Sequence, residues 1–282
     1  MIRNALTVDV EDYFHVSAFA DSIKPGEWDK YPLRVVNNTQ RLLELFDSCG
    51  ARATFFVLGW VAERVPELIR EIAAQGHEVA CHGYSHQLVY NQTPAEFRAE
   101  TLRSKSLLED ISQAPVCGYR AASYSITERS LWALDVLAET GFTYDSSIFP
   151  VWHDRYGIPG SPEFPYALKS PAGYPLVEFP LSTAHILGCR LPIAGGGYFR
   201  LYPYRVSKFG LSQINREGHP FIFYMHPWEI DPNQPRVVAH WLSRFRHYNN
   251  LNKFEARLSR LIKEFRFGKV MDVLEDLGLP AA

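Results

Sequence analysis

The chain has 282 residues, 46% of them hydrophobic and 14% aromatic, enough to bury a substantial core as one large domain or two small ones. Twenty-nine Lys and Arg against 31 Asp and Glu leave a net charge of −2, so no global positive field would hold a nucleic-acid backbone. Cys49, Cys81, Cys117 and Cys189 are scattered without a CxxC pair, which excludes a cysteine metal knuckle or dense disulfide framework and predicts free thiols in a reducing compartment.

In chain order, ALTVDV (Ala5 to Val10) is apolar, rich in strand formers and followed by acids, so it reads as a buried strand delivering carboxylates at its C-terminal end. The opening MIRNALTVDVEDYF breaks its apolar run at Asp9, short of a signal peptide, and no later run approaches a membrane span of about 18 apolar residues. The expectation is a soluble, cytoplasmic chain.

Leu33 to Cys49 carries helically spaced apolar residues with Gly50 as a stop, ATFFVLG (Ala53 to Gly59) is a second strand, Pro66 to Gln75 a helix, and HEVAC (His77 to Cys81) a third strand. A helix over Pro94 to Ile111 has Thr93 as N-cap and Glu96 as its capping-box partner. VCGYRAAS gives a fourth strand or strand-like turn, and Thr127 to Thr140 another helix closed by Gly141.

From Phe149 to Gly197 prolines punctuate the chain, predicting long loops with short strands such as LVEFPLS. A helix near Tyr204 to Arg216, a strand at PFIFYMH, and a basic amphipathic section from Arg236 to Leu277 follow. The strand–helix alternation argues for an α/β fold of parallel strands, closed or nearly closed into a barrel, with functional residues gathered at the strands' C-terminal ends.

Those ends carry chemistry. HEVACHGYSH places His82 and His86 four residues apart, which on one helical turn would set both imidazoles on one side. Two imidazoles and one acid from the first strand would leave coordination positions for water and substrate, as hydrolytic metal sites require. His226 closes the strand in FIFYMHPWE, and Arg120 sits at the end of GYR. Any one of these alone reads as a surface or capping residue; acid, histidine pair, arginine and histidine at four strand ends do not read as chance.

TVDVED, TFFVLG, HGYSH, GYRAAS and FYMHP, in that order, resemble the motif series of the NodB-homology polysaccharide deacetylases, carbohydrate esterase family 4, over roughly residues 5 to 230. The tail WLSRFRHYNNLNKFEARLSRLIKEF is similar to the C-terminal extension of the subgroup found beside exosortase-linked exopolysaccharide clusters. The resemblance implies a distorted (β/α) barrel over 1–230 with a helical extension over 231–282, a divalent metal, usually zinc, and removal of N-acetyl groups from amino sugars. It matches His82 and His86 to the metal histidines, Asp9 to the general base, Arg120 to the arginine orienting that base, and His226 to the general acid.

The chemistry agrees: amide hydrolysis wants a Lewis acid on the carbonyl oxygen, an activated water and a proton donor for the nitrogen. A backbone N–H in the Ala121 to Ser123 turn could hold the developing oxyanion. TVDVED spaces its acids where the family has adjacent aspartates, so the metal carboxylate is Glu11, on Asp9's side by strand alternation, or Asp12 if the chain turns there. RAASY lacks the usual proline and aromatic after the arginine, and no acid–tryptophan motif is evident to tune His226; Glu178 in LVEFP is a possible substitute.

His15 and His77 read as packing or surface residues, Trp228 as a sugar platform or core filler, GGGY (Gly195 to Tyr198) as a mobile loop, and the basic tail as a solvated helix face. The leading expectation is a metal-dependent N-deacetylase of a polysaccharide or its lipid- or nucleotide-linked precursor. A small-amide (allantoinase-like) hydrolase and a non-catalytic glycan-binding scaffold are the alternatives. Expected partners are a carbohydrate substrate, no nucleic acid, the membrane or exopolysaccharide assembly machinery at the periphery, and a second copy of the chain.

Overall fold

The computed structural model describes residues 1–153, 155–186 and 188–279. The first half alternates strand and helix: β1 (Arg3–Val10), α1 (Val35–Ser48), β2 (Thr54–Val57), α2 (Gly59–Arg64), α3 (Pro66–Ala74), β3 (Glu78–Cys81), α4 (Pro94–Ser112), β4 (Gly118–Tyr119), α5 (Trp132–Glu139) and β5 (Tyr144–Asp145). The proline-rich stretch then supplies short strands β6 (Tyr166–Lys169), β7 (Pro175–Glu178), β8 (Thr183–Ile186) and β9 (Cys189–Pro192). The remainder is α6 (Gly196–Leu201), α7 (Tyr204–Arg216), β10 (Ile222–Met225), α8 (Trp241–Tyr248), α9 (Leu251–Glu264), β11 (Arg266–Gly268) and α10 (Val270–Asp276).

Local signals explain the boundaries. Thr93 caps α4 as its sequence predicts: its hydroxyl accepts the Glu96 N–H at 3.3 Å while Glu96 accepts the Thr93 N–H at 2.8 Å. The helix expected from Thr127 starts only at Trp132, because the Thr127 N–H is taken by the Ser130 hydroxyl and residues 128–130 form a separate 3-10 turn.

The main sheet runs β10-β1-β2-β3-β4-β5-β7-β6, with β11 paired to the start of β1. Its ladders are parallel except the hairpin of β6 on β7, and β8 and β9 form a separate antiparallel pair. Among the described residues no ladder joins β6 to β10, so the distorted barrel stays open. The reason is the antiparallel return of β6, which takes β7's free edge. Between β7 and β10, Ser182 Oγ accepts the Ile222 N–H and the Ala194 carbonyl accepts the Tyr224 N–H.

Period-two alternation assigns the two faces. Leu6, Val8, Val10, Phe55, Val57, Phe223 and Met225 pack outward against the helices, whereas Ala5, Phe56, Ala80, Tyr144, Ile222 and Tyr224 fill the interior. Followed in steps of two toward the strands' C-terminal ends, the interior rows reach Asp9 (through Thr7), His82 and His226, which puts these side chains over one mouth.

The opposite mouth is plugged by α10. Val270, Val273 and Leu274 enter the interior cluster, the Val270 N–H donates to Thr54 Oγ1 at 2.8 Å and the Met271 N–H to Glu78 Oε2 at 3.3 Å. The stretch after residue 230 is therefore not a purely helical appendage: it gives β11 to the sheet and a stopper to the barrel. No described helix is long and apolar enough to cross a membrane.

Candidate active site

Asp9 and Arg120 form the buried centre. Arg120 has no exposed surface, stacks over the Phe56 ring, and donates from Nη1 to Asp9 Oδ1 at 2.6 Å and to Thr7 Oγ1 at 2.8 Å. Its Nε and Nη2 donate to the Ser146 carbonyl and hydroxyl. With the guanidinium held at four points, the Asp9 carboxylate has one orientation, its Oδ2 turned to the mouth 3.9 Å from His226 Nε2.

Beyond β1 the chain turns tightly, the Glu11 N–H donating to the Asp9 carbonyl at 2.9 Å, and Glu11 stays on Asp9's side. Ligand atoms of Glu11, His82 and His86 all lie within 4.8 Å of one another. The two histidines reach this point from a loop, not from the helical turn their spacing suggested: Gly83 and His86 adopt left-handed backbone, with φ of 73° and 53°.

The donor set fits a divalent cation. His82 Nδ1 lies 2.9 Å from the Arg120 carbonyl, which can only accept, so Nδ1 carries the proton and Nε2 keeps its lone pair for the cluster. Glu11 Oε2 is buried and takes no hydrogen bond, although His86 Nε2 stands 2.9 Å away. Burial opposes ionisation of Glu11, but His86, His226 and His82 hold its carboxyl well below the usual carboxylate range. Burial pushes His82 down to about 4, so it stays neutral and able to ligate at physiological pH.

Asp12 stands outside the cluster, contrary to one of the two expectations for the metal carboxylate. Its Oδ2 accepts the N–H groups of Arg34 and Val35 at 2.6 and 2.8 Å, and its Oδ1 that of Tyr13 at 2.9 Å. It is thereby committed to the N-terminus of α1, where a helix leaves donors unpaired and favours negative charge. His15 accepts the Asp12 N–H on Nδ1 at 2.8 Å, which leaves the proton on Nε2 and removes it as a ligand; it packs among Phe14, Trp28 and Trp60. His77 is likewise internal, accepting the Ala53 N–H.

His226 faces the cluster from β10, its Nε2 3.7 Å from Glu11 Oε1 and its Nδ1 3.4 Å from Glu229 Oε2. Burial would lower its pKa, but Glu229, Glu11 and Asp9 win and raise it to about 9. The tuning acid is thus Glu229, not Glu178, which lies opposite Asp145 in the β5–β7 register and accepts the Ile148 N–H. Behind Glu229 is Arg200, fully buried, with Nε 2.9 Å from Glu229 Oε1.

The sequence signal for Glu229 is the capping-box spacing of HPWE, in which the acid three residues after His226 accepts the His226 N–H at 3.1 Å. Trp228 is core rather than a sugar platform: 5% exposed, it stacks between His226 and His247 and donates Nε1–H to Glu11 Oε1 at 3.3 Å.

The glycines expected to form a mobile loop open α6 instead. A Cβ on Gly196 would sit 1.8 Å from Glu229 Oε2, and one on Gly195 2.2 Å from the Tyr224 ring, so the absence of side chains lets this turn lie against the acid behind His226. In the turn after Arg120, the Ala121 N–H is already donated to Ser147 Oγ at 2.8 Å, which removes it as an oxyanion donor; Ser123 and Tyr124 hold left-handed φ of 51° and 56°.

Residues 27–144 match the family model described as polysaccharide deacetylase. The first half of the chain is therefore similar to the polysaccharide deacetylases. Residues 146–275 match a second model, described as a domain of unknown function (DUF3473), which takes in His226, Glu229 and Arg200. The chain is 34% identical over 108 residues to a peptidoglycan deacetylase of Helicobacter pylori, 38% of this chain and 36% of that protein. It is 34% identical over 100 residues to a chitooligosaccharide deacetylase of a Bradyrhizobium strain, 36% of this chain and 43% of that protein. It thus spans less than half the length of these relatives. A Mycobacterium smegmatis crystal structure named as a candidate polysaccharide deacetylase superposes with a TM-score of 0.67 at 20% identity, over 98% of this chain and 90% of that one, which shows a shared fold.

Proposed function

We propose that this chain is a divalent-metal-dependent N-deacetylase of N-acetylated amino sugars. The observation that carries the reading is the convergence of Glu11, His82 and His86 within 4.8 Å, flanked by Asp9 held on Arg120 and by His226 backed by Glu229. One carboxylate and two imidazoles are a set that zinc accepts with positions left open. The cation, when bound, would polarise the acetyl carbonyl and acidify water.

This chain's residues would do the rest. Asp9, fixed by Arg120, accepts the proton of the attacking water as its oxygen bonds to the acyl carbon. His226, raised to about 9, is a cation at neutral pH with its Nε2 proton turned to the cleft. It delivers that proton to the nitrogen as the C–N bond breaks, leaving acetate and a free amine. A glycan-binding scaffold has no need of both a positioned base and a positioned acid, which disfavours the non-catalytic alternative.

The H. pylori and Bradyrhizobium relatives, named for peptidoglycan and chitooligosaccharides, support an N-acetylglucosamine-type substrate. The tail's resemblance to exosortase-linked proteins supports an exopolysaccharide chain or its lipid- or nucleotide-linked precursor. The test is acetate release from an N-acetylglucosamine oligomer with and without chelator. Chelator-sensitive release that falls at least a hundredfold in Asp9→Asn and His226→Ala supports the assignment, on the scale of about 10²–10⁴ for positioned acids and bases. Undiminished release in either variant contradicts it.

A further inference from the structure

The molecule carries an aromatic and cationic face that the chemistry above does not use. α8 is split between two environments: His247 is buried and stacks on Trp228 at 4.1 Å, while Trp241 and Phe245, one turn apart on the other side, are 69% and 50% exposed. Val238, just before the helix, is 87% exposed. Single exposed apolar residues are ordinary, but three of this size on one short segment are not.

Charge singles out the occupant. From 232 to 254 the sequence has no Asp or Glu, and it carries exposed Arg236, Arg244, Arg246 and Lys253. The flanking segment joined through Ser22, whose hydroxyl donates to the Val238 carbonyl, contains three acids. Of these, Glu27 pairs with Lys30 and Asp29 with Arg64, leaving Asp21. Glu255, at the start of α9, pairs with Arg41.

We propose that the outer face of α8, with Val238, docks on an anionic lipid surface, the apolar side chains entering the headgroup boundary and the arginines meeting phosphates. This is the pattern of interfacial helices, in which aromatic and aliphatic residues enter and long cationic side chains reach the headgroups. A glycan platform would use the aromatic rings but not Val238, and a protein partner would not require the acid-free collar.

The inference does not rest on the reaction assigned above. It adds position: the stack His247–Trp228–His226, with ring centres 4.1 and 5.0 Å apart, runs from the inner side of α8 to the mouth. A lipid-linked chain emerging beside α8 would start next to the cleft.

The test is co-sedimentation of the full chain with phosphatidylglycerol–phosphatidylcholine vesicles against pure phosphatidylcholine, with brominated lipid as a tryptophan quencher. Binding should be confined to the anionic vesicles and weaken as salt rises from about 0.1 M to about 1 M, where the screening length falls from about 10 to about 3 Å. Arg244→Gln and Arg246→Gln should each weaken it about fivefold. The pair Trp241→Ser with Phe245→Ser should abolish it while acetate release from a soluble oligomer is unchanged. Trp241→Phe should keep binding and lose the quenching.

No binding to anionic vesicles, binding indifferent to these substitutions, or quenching that survives Trp241→Phe would overturn the proposal. So would a serine pair that leaves lipid binding intact and instead dissociates a dimer or abolishes oligosaccharide retention.

Discussion

Replacing Glu229 by Gln keeps the side-chain volume and removes one charge behind His226. Across the 3.4 Å from Nδ1 to Oε2, two unit charges attract by about 5 kcal/mol at an effective dielectric of about 20. Arg200 holds the other carboxylate oxygen at 2.9 Å, so only part of that charge acts on the imidazole. A third to a half of it is about 1.5–2.5 kcal/mol, or about one to two pH units.

The pKa of His226, raised to about 9 in the parent, should therefore fall to about 7–8, and the alkaline limb of kcat/KM should move down with it. Stability should fall as well, because Arg200 is left buried without its carboxylate. Its remaining bonds to the carbonyls of His247, Asn249 and Arg246 place the loss at the lower end of the usual range, about 3 kcal/mol. The assays are the pH profile of acetate release and urea unfolding. A loss of stability with an unmoved alkaline limb would refute the claim that Glu229 tunes His226 and reduce the pair to a structural ion pair.

Gly196→Ala should lower kcat/KM and move the same limb, because its methyl group meets Glu229 Oε2, while Gly197→Ala, with open space around its Cβ, should leave the profile unchanged. Ending the chain before Lys269 should leave it unable to fold, read as loss of a cooperative urea transition. Removing Val270, Val273 and Leu274 from the interior forfeits about 1.5–3 kcal/mol each, comparable in sum to the whole stability of a domain.

The buried pair Asp145 and Glu178 gives a pH prediction. Burial raises Asp145 to about 6 and, together with Asp145's charge, drives Glu178 well above the ordinary carboxylate value. The folded protein therefore binds more protons than the unfolded chain between those values. The pair's contribution is full below about pH 4 and lost as pH rises through the folded values. Glu178→Gln should flatten that decline, and a variant whose urea midpoint falls as steeply with pH as the parent's would contradict the reasoning.

Much of this was legible because the barrel repeats one physical pattern. Short apolar strands followed by helices, with glycine stops after α1, α3 and α5, set the order of elements, and period two carried Asp9, His82 and His226 to one mouth. What stayed hidden depends on contacts between distant segments. Asp12 looks as good a ligand as Glu11 until the N-terminus of α1 folds onto it.

The glycines at 195 and 196 read as flexible until Tyr224 and Glu229 are seen against them. The interior role of α10 was invisible because its apolar stripe is that of any surface helix, and nothing local states that it closes a barrel. The histidine pair was found for the right ring positions but on the wrong backbone, since left-handed φ at His86 replaces the helical turn that spacing suggests.

The central claim is that Glu11, His82 and His86 bind one divalent cation without Asp12. Its most direct measurement is metal content per chain by mass spectrometry after purification and dialysis, on the parent, Glu11→Gln, His82→Ala, His86→Ala and Asp12→Asn, each checked for a cooperative unfolding transition. The account predicts one equivalent in the parent and in Asp12→Asn, and loss of the metal in the other three. A full equivalent retained by folded Glu11→Gln and His86→Ala, or metal lost only in Asp12→Asn, would contradict it.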